Sequence, residues 1–324
     1  MNDVARFPDC APSIGIDLGG TQVRAALVDA SGRLLARAAE PTDKLGGPQA
    51  VLQQMLRLIS QVSAGLDLAN VPAIGISAPG PLDAQAGVIL DIPTLPGWVA
   101  IPIRDWVSQA LAKPVTLTND GVAAAIGEWK YGAGRGLSDF VYVTVSTGIG
   151  GGVIADGKVL HGRRQLAGHI GHMTVLPDGA FCTCGNRGCW EAQASGTALG
   201  QYAREQARQT PQSLLAQWGD SVGAKEVFAA ALSGDVLAKG IVARQVRLLG
   251  IGIVNLLHLY SPAMVVVGGG VSQGFEQFGP GVQDHVRAHA LPAFKEVPVV
   301  KAALGADSGL VGAAAIGLEW KQYV

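Results

Sequence analysis

Charge is scarce in this chain. Only 15% of its 324 residues are Asp, Glu, Lys or Arg, against about 25% in an ordinary soluble domain. The 24 basic and 25 acidic side chains leave a formal net charge of −1. No basic run or stripe disturbs that balance, so the electrostatic footprint of a nucleic-acid binder is missing. Long apolar runs are missing too. The longest, LLGIGIVNLLHLY (248–260), is too short to cross a bilayer and reads as a buried helix. The opening MNDVARFPDCAPS lacks the apolar centre of a signal peptide. These absences set the expectation of a soluble, cytoplasmic protein with neither nucleic acid nor membrane as partner. No low-complexity segment and no Pro/Ser linker interrupts the chain, so its domains should be closely joined. What is plentiful is core material: 48% of residues are hydrophobic, enough for a globular fold of one large domain or two of ordinary size.

Glycine is in excess. There are 45, about twice the usual share of ~7%, and they gather at the ends of apolar runs. IGIDLGGTQVRAALVDASGRLLAR (14–37) reads as strand, Gly-Gly turn, strand, polar turn, strand. FVYVTVSTGIGGGVIADGKVL (140–160) repeats that plan about 125 residues later, which suggests two related domains. MVVVGGGVS (264–272) closes a third apolar strand with glycines. Between the repeats, VLQQMLRLISQVSAGL places Leu52, Met55, Leu56, Ile59, Val62 and Leu66 on one helical face. Strands mixed with helices in this way indicate an α/β protein.

Glycine turns at strand ends expose backbone N–H groups and let a phosphate approach without a Cβ in the way. The GxxxxGK[ST] fingerprint is absent, and GIGGG runs into a strand rather than a helix, so neither standard nucleotide motif applies. A single turn of this kind is more often an ordinary hairpin. Three together, one of them headed by Asp17 beside Gly19, Gly20 and Thr21, favour phosphate. Asp17 could hold Mg²⁺ through water while Thr21 and the amides meet phosphate oxygens. Asp120, in TND, follows the strand Val115–Thr118 and precedes a helix. It reads as an N-cap, and a carboxylate so placed also suits a general base for a substrate hydroxyl.

Cys182, Cys184 and Cys189 form C-x-C-x₄-C, with Gly185 and Gly188 permitting a tight knuckle. Three thiolates and one imidazole make a closed structural zinc site. A disulfide is not expected in a chain without a secretory signal. GHIGHMTV offers two histidines, His169 and His172, and spacing alone does not choose between them.

GIDLGGT, ISAPGPLD, NDGVAAAIGEWKYGAGRG, STGIGGG, GHIGHMTV…CTCGNRGCWEAQASG, VVVGGGVS and DSGLVGAAAIG occur in order from residue 14 to 317. Together they resemble the ROK family of bacterial sugar kinases, and its glucokinases in particular. The resemblance implies an actin-like, hexokinase-like ATPase fold with two lobes and a duplicated mixed sheet. Residues 1–119 would form the small lobe, with a C-terminal helix at about 306–324 returning to it, and 120–305 the large lobe with the zinc loop. It implies Asp120 as catalytic base and Asn119, Gly80 and Thr94 at the sugar. Gly19, Gly20 and Thr21 would be the first phosphate loop, Thr147 and Gly148 the second, and Gly269 and Gly270 the adenosine side. The family pattern G-E-x-G-H makes its last histidine, here His172, both a zinc ligand and a neighbour of the sugar. The glutamate of that pattern is His169 here, which puts a different side chain at the sugar. Glu191 keeps the family's other acidic sugar contact, while Val122 and Thr94 stand where asparagine is common. Family repressors carry an added winged helix, for which a first strand beginning by residue 14 leaves no room.

The expected activity is ATP-dependent phosphorylation of a hexose hydroxyl, at O6, by a homodimer using ATP, Mg²⁺ and structural Zn²⁺. The alternatives are a sugar sensor with weak or no turnover, and a glycosidase that reuses the same pocket. Neither accounts for the three glycine loops as well as a kinase does.

Overall fold

The computed structural model describes residues 11–92 and 95–318. The chain divides into two compact units. Among the described residues, the first takes 11–92, 95–136, 159–167 and 307–318; the second takes Leu137–Lys158 and Gly168–Ala306. The first unit thus runs beyond residue 119 and keeps the helix that Asp120 opens.

In the first unit, β1 (Ser13–Leu18), β2 (Gln22–Val28) and β3 (Leu34–Pro41) form an antiparallel meander. The Gly19–Gly20 turn makes the first hairpin. α1 (Gly47–Val62) then crosses to β4 (Ile74–Ala78), which lies parallel to β1. After a small antiparallel sheet of β5 (Leu82–Asp83), β6 (Val88–Asp91) and β7 (Val99–Ile101), α2 (Ile103–Leu111) leads to β8 (Val115–Asn119), parallel to β4. The main sheet order is β3-β2-β1-β4-β8, and α3 (Asp120–Tyr131) follows directly. Parallel neighbours need such helical crossovers, whereas the hairpins need only a turn.

The second unit repeats the scheme. β9 (Phe140–Val145) and β10 (Ile149–Ala155) pair antiparallel, with β11 (Lys158–Val159) at the edge. The chain returns to that sheet only after α4 (Trp190–Ala194), α5 (Gly196–Arg208), α6 (Ala224–Leu232) and α7 (Val236–Tyr260). β12 (Met264–Gly268) lies parallel to β9, and α8 (Phe275–His289) leads to β13 (Val299–Lys301), parallel to β12. The order β11-β10-β9-β12-β13 matches that of the first sheet.

Each unit has its own core. Ile14, Ile16, Met55, Leu58 and Ile59 anchor the first; Val141, Trp190, Leu248, Leu249 and Phe278 anchor the second. Each such side chain contributes roughly 1.5–3 kcal/mol on burial. α1 buries Val51, Gln54, Met55, Leu58, Ile59 and Val62, while Leu52 and Leu56 are only half-buried. Its inner face is therefore turned from the stripe the apolar spacing picks out, because Gln54 is needed inside. The Gln54 amide donates to Pro41 O (2.8 Å) and Glu40 Oε2 (3.1 Å), and its oxygen accepts from Asp43 N (2.9 Å). α7 is 25 residues long, enough in length and apolarity to cross a bilayer. Its Leu248, Leu249, Leu256 and Leu257 are instead packed in the core.

Several glycines sit inside elements rather than at their ends. A Cβ on Gly75 of β4 would lie 1.8 Å from Ala313 O, and one on Gly312 would lie 1.7 Å from Ala123 O. Gly312 and Ala313 belong to α9 (Ser308–Leu318), a run of small residues that packs on both the sheet and α3 at backbone distance. Part of the glycine excess therefore serves packing, not phosphate.

Candidate active site

In the first unit, the parallel strands β1, β4 and β8 end side by side. Asp17 pairs in register with Ser77, and Ser77 with Thr118. Carboxyl ends of parallel strands are where α/β sheets present ligand groups. The Asp17 carboxylate is nearly buried, and each of its oxygens accepts a hydrogen bond. Ser77 Oγ donates to Oδ1 (2.8 Å), and Arg24 donates to Oδ2 through Nε (3.0 Å) and Nη2. Arg24 also faces Asp307 at 3.8 Å, which in turn pairs with Arg37 at 3.2 Å. Arg24 on β2 and Ser77 on β4 were not singled out in the sequence, although Ser77 lies within ISAPGPLD. In the following turn, Gly19 N donates to Gln22 O (2.9 Å) and Thr42 Oγ1 donates to Gly19 O (2.6 Å). Thr21 is exposed beside them.

Asn119, not Asp120, caps α3. Its Oδ1 accepts from Gly121 N at 3.0 Å, and Asp120 is the first helical residue. The extended conformation of Asn119 at the strand end suits the cap position, which displaces Asp120 one step inward. Asp120 Oδ1 shares the Gly121 amide at 2.8 Å. The Asp120 side chain meets solvent but is crowded by protein. Desolvation first, and the charge of Asp17 second, raise its carboxyl to about 6. Gly309, in the first turn of α9, completes the cluster: a Cβ there would lie 3.6 Å from Asp17 Oδ1 and 4.0 Å from Asp120 O. Gly80 lies just past β4, with a cis peptide to Pro81.

In the second unit, the turn between β9 and β10 carries Thr147 and Gly148. Ser146 N donates to Gly148 O (2.9 Å), and Gly196 N donates to Ser146 O (2.7 Å). An open recess of about 280 Å³ is lined by Ser146, Thr147, Gly196, Thr197, Ala224, Gly270 and Val271. Thr147 and Gly270 thus meet as the glycine turns suggested, while Gly148 and Gly269 serve the backbone behind them. Gly269 has φ +83°, and a Cβ there would lie 2.5 Å from Val145 O. Ser146, Thr197 and Ala224 are additions from the structure. The Ser195–Gly196–Thr197 cap was a readable signal, since Ser195 Oγ accepts from Ala198 N at the start of α5.

The cysteine knuckle closes on one histidine. One ligand atom from each of His172, Cys182, Cys184 and Cys189 lies within 4.8 Å of all the others. His172 Nδ1 is 3.6 Å from Cys182 Sγ, and Cys184 Sγ is 3.6 Å from Cys189 Sγ. Ligands tetrahedrally placed at about 2.3 Å from zinc are about 3.8 Å apart, so this donor set fits that ion. The cluster also builds the neighbouring helix: Cys189 is the N-cap of α4, and Trp190 N donates to Met173 O (2.8 Å). His169 stands outside the cluster. Its ring is 6.2 Å from that of His172, and desolvation, then the His172 charge, lowers its pKa.

Comparison with known proteins accords with this geometry. The model of the ROK family matches residues 13–319. The chain belongs to the ROK family. It is 37% identical over 308 residues to a glucokinase of Thermotoga maritima, covering 94% of this chain and 96% of that protein. A ROK family glucokinase from Streptomyces griseus, solved in complex with glucose and AMPPNP, superposes with a TM-score of 0.84 at 35% identity. That match covers 94% of this chain and 98% of the other. The ROK hexokinase of Thermus thermophilus gives 0.80 at 37% identity, covering 96% and 99%. The duplicated mixed sheet of this ROK chain is accordingly the actin-like, hexokinase-like ATPase fold.

Of the positions where this ROK chain departs from the family pattern, Val122 is buried with Ile126, Ala315 and Ile316, and so packs rather than binds. Thr94 lies outside the described residues. His169 is exposed. Glu191, which the pattern retains, is half-buried at the start of α4.

Proposed function

We propose that this ROK enzyme transfers the terminal phosphoryl of ATP to the O6 hydroxyl of a hexose, with Asp120 as base. The protein is an ATP-dependent sugar kinase. The observation that carries the assignment of the base is Asp120 itself. It is a solvent-reachable carboxylate with one oxygen held by the Gly121 amide and a carboxyl raised to about 6. A base poised near the working pH takes a proton most effectively. The hydroxyl proton passes to Asp120 as the sugar oxygen bonds to the γ-phosphorus and the bond to the bridging oxygen of ADP breaks.

The amides of the Gly19–Gly20–Thr21 and Thr147–Gly148 turns, with the Thr21 and Thr147 hydroxyls, take the phosphates. Gly269 and Gly270 border the adenosine. Mg²⁺, held by Asp17 through water, would neutralise phosphate charge. Asp17 is the carboxylate of the first glycine turn, and since Arg24 and Ser77 already bond its two oxygens it would reach the ion only through water. Asn119 uses one lone pair of its oxygen on the helix cap and bonds Asp120 through its side chain, and its remaining capacity is what a sugar hydroxyl would meet. Glu191, His169, His172, Gly80 and Thr94 complete the sugar contacts in this reading. Zinc on His172, Cys182, Cys184 and Cys189 fixes the loop from which α4 and Glu191 start. The expected form is a cytoplasmic homodimer.

The test is ADP release across hexoses, amino sugars, N-acetyl sugars and ketoses, with ³¹P NMR to locate the phosphate on the product. ADP release with no sugar dependence, or phosphate on another hydroxyl, overturns the assignment. Release of free sugar from a glycoside would install the glycosidase reading in its place.

A further inference from the structure

Glu191 has two neighbours that the reading above keeps apart. As a sugar contact it needs one free carboxylate oxygen. Its other oxygen, Oε2, accepts a hydrogen bond from Ile149 N at 3.0 Å, across 42 residues of sequence. Ile149 is the first residue of β10, immediately after the Ser146–Thr147–Gly148 turn. The contact is tight as well as polar: a Cβ on Gly148 would lie 2.3 Å from Oε2 and 3.1 Å from Cδ of Glu191. A side chain at Gly148 would have to displace this carboxylate. Among the described residues, the other bonds of the turn are backbone ones, Ser146 N to Gly148 O (2.9 Å) and Gly196 N to Ser146 O (2.7 Å). Glu191 is the side chain that fixes where the turn leaves for β10.

We infer that Glu191 is a positioning residue that couples the sugar to the nucleotide: one oxygen binds a sugar hydroxyl while the other holds the Thr147–Gly148 turn in its phosphate-binding form. The coupling rests on the kinase reading and adds to it a cause of synergy between the two substrates. Charge on the acceptor makes the bond to Ile149 N stronger than a neutral one. A sugar hydroxyl donating to the free oxygen orients the carboxylate and with it the turn. By linkage, whatever the sugar does for nucleotide affinity, the nucleotide does equally for the sugar. Cys189 of the metal-ligand cluster occupies the N-cap position of α4, on which Glu191 is the second residue.

Two substitutions separate the two jobs. The carbonyl of Glu191→Gln can still accept from Ile149 N but presents an N–H₂ or a weaker acceptor to the sugar. Glu191→Ala loses both contacts. Binding of AMPPNP to the zinc-loaded, full-length protein, measured by calorimetry without sugar, should be weakened at least about ten-fold in Glu191→Ala, as for loss of one charge-assisted hydrogen bond. In Glu191→Gln, where the bond survives as a neutral one, the loss should be clearly smaller, about two- to five-fold. In kinetics, Glu191→Gln should raise the sugar KM far more than the ATP KM, whereas Glu191→Ala should raise both strongly. Equal AMPPNP affinity in wild type and Glu191→Ala overturns the coupling and leaves the kinase assignment standing. Wild-type protein that fails to bind AMPPNP overturns both. If Glu191→Ala does not fold, Gly148→Ala reads the link from the other side. Its Cβ displaces Oε2, so the sugar KM should rise along with the ATP KM, and a rise in the ATP KM alone overturns the inference.

Discussion

Replacing Asp120 by Asn tests the base and its electrostatics together. The amide keeps the size of the carboxylate and can still accept from Gly121 N, so the helix start is undisturbed. It cannot take a proton, and a general base contributes about 10²–10⁴-fold. Turnover should fall by that factor while sugar binding survives. Stability should move the other way. A folded-state pKa of about 6 against 3.8 in the unfolded chain means that the folded protein holds the extra proton between those values. Its contribution is favourable below pH 3.8 and is lost as pH rises through 6. Two units correspond to roughly 3 kcal/mol at most. Solvent reaches Asp120, and screening brings the expected gain on neutralisation to about 1 kcal/mol at pH 8. Asp120→Asn should therefore melt slightly higher than wild type at pH 8 and equally at pH 4, by calorimetry. Wild-type kcat/KM should rise with pH through an apparent pKa near 6, and that limb should vanish in the variant. Lost activity accompanied by a lower melting temperature at pH 8, or a wild-type profile flat from pH 5 to 8, would refute the reasoning.

The purified protein should contain one zinc per chain by elemental analysis, and Cys184→Ser should lower both metal content and melting temperature; unchanged stability in a zinc-free sample would argue against a structural ion. His169→Glu should shift the ranking of sugars and leave the ATP KM nearly constant, since a site discriminates by leaving its polar groups unpaired with the wrong substrate. If zinc occupancy falls and the ranking holds, His169 supports the metal loop instead. Gly75→Ala should cost about 1–3 kcal/mol or more by denaturant unfolding, because its Cβ would lie 1.8 Å from Ala313 O, a backbone atom that cannot rotate away; a neutral result would mean that α9 can slide on the sheet.

Local chemistry made much of this protein readable in one dimension. The hairpin turns at Gly19–Gly20 and Thr147–Gly148 announce themselves because the chain must reverse there within a few residues. The cysteine knuckle is contained in eight residues. Asp120 is visible because strand end and helix start adjoin in sequence. The 125-residue repeat becomes two sheets of the same order because each copy carries its own strand pattern. What remained hidden depends on distant partners. Asn119 takes the cap from Asp120 because its backbone is still extended where the helix begins. α1 turns Gln54 inward because the end of β3 offers it partners. Choosing His172 over His169 by geometry requires the fold of the loop around three sulfurs. The Glu191–Ile149 bond spans 42 residues, and the Ser77–Asp17 bond spans 60. Such contacts leave no periodicity or spacing in the chain. They are decided by packing, which brings together groups that sequence order keeps apart and lets each buried polar atom find a partner.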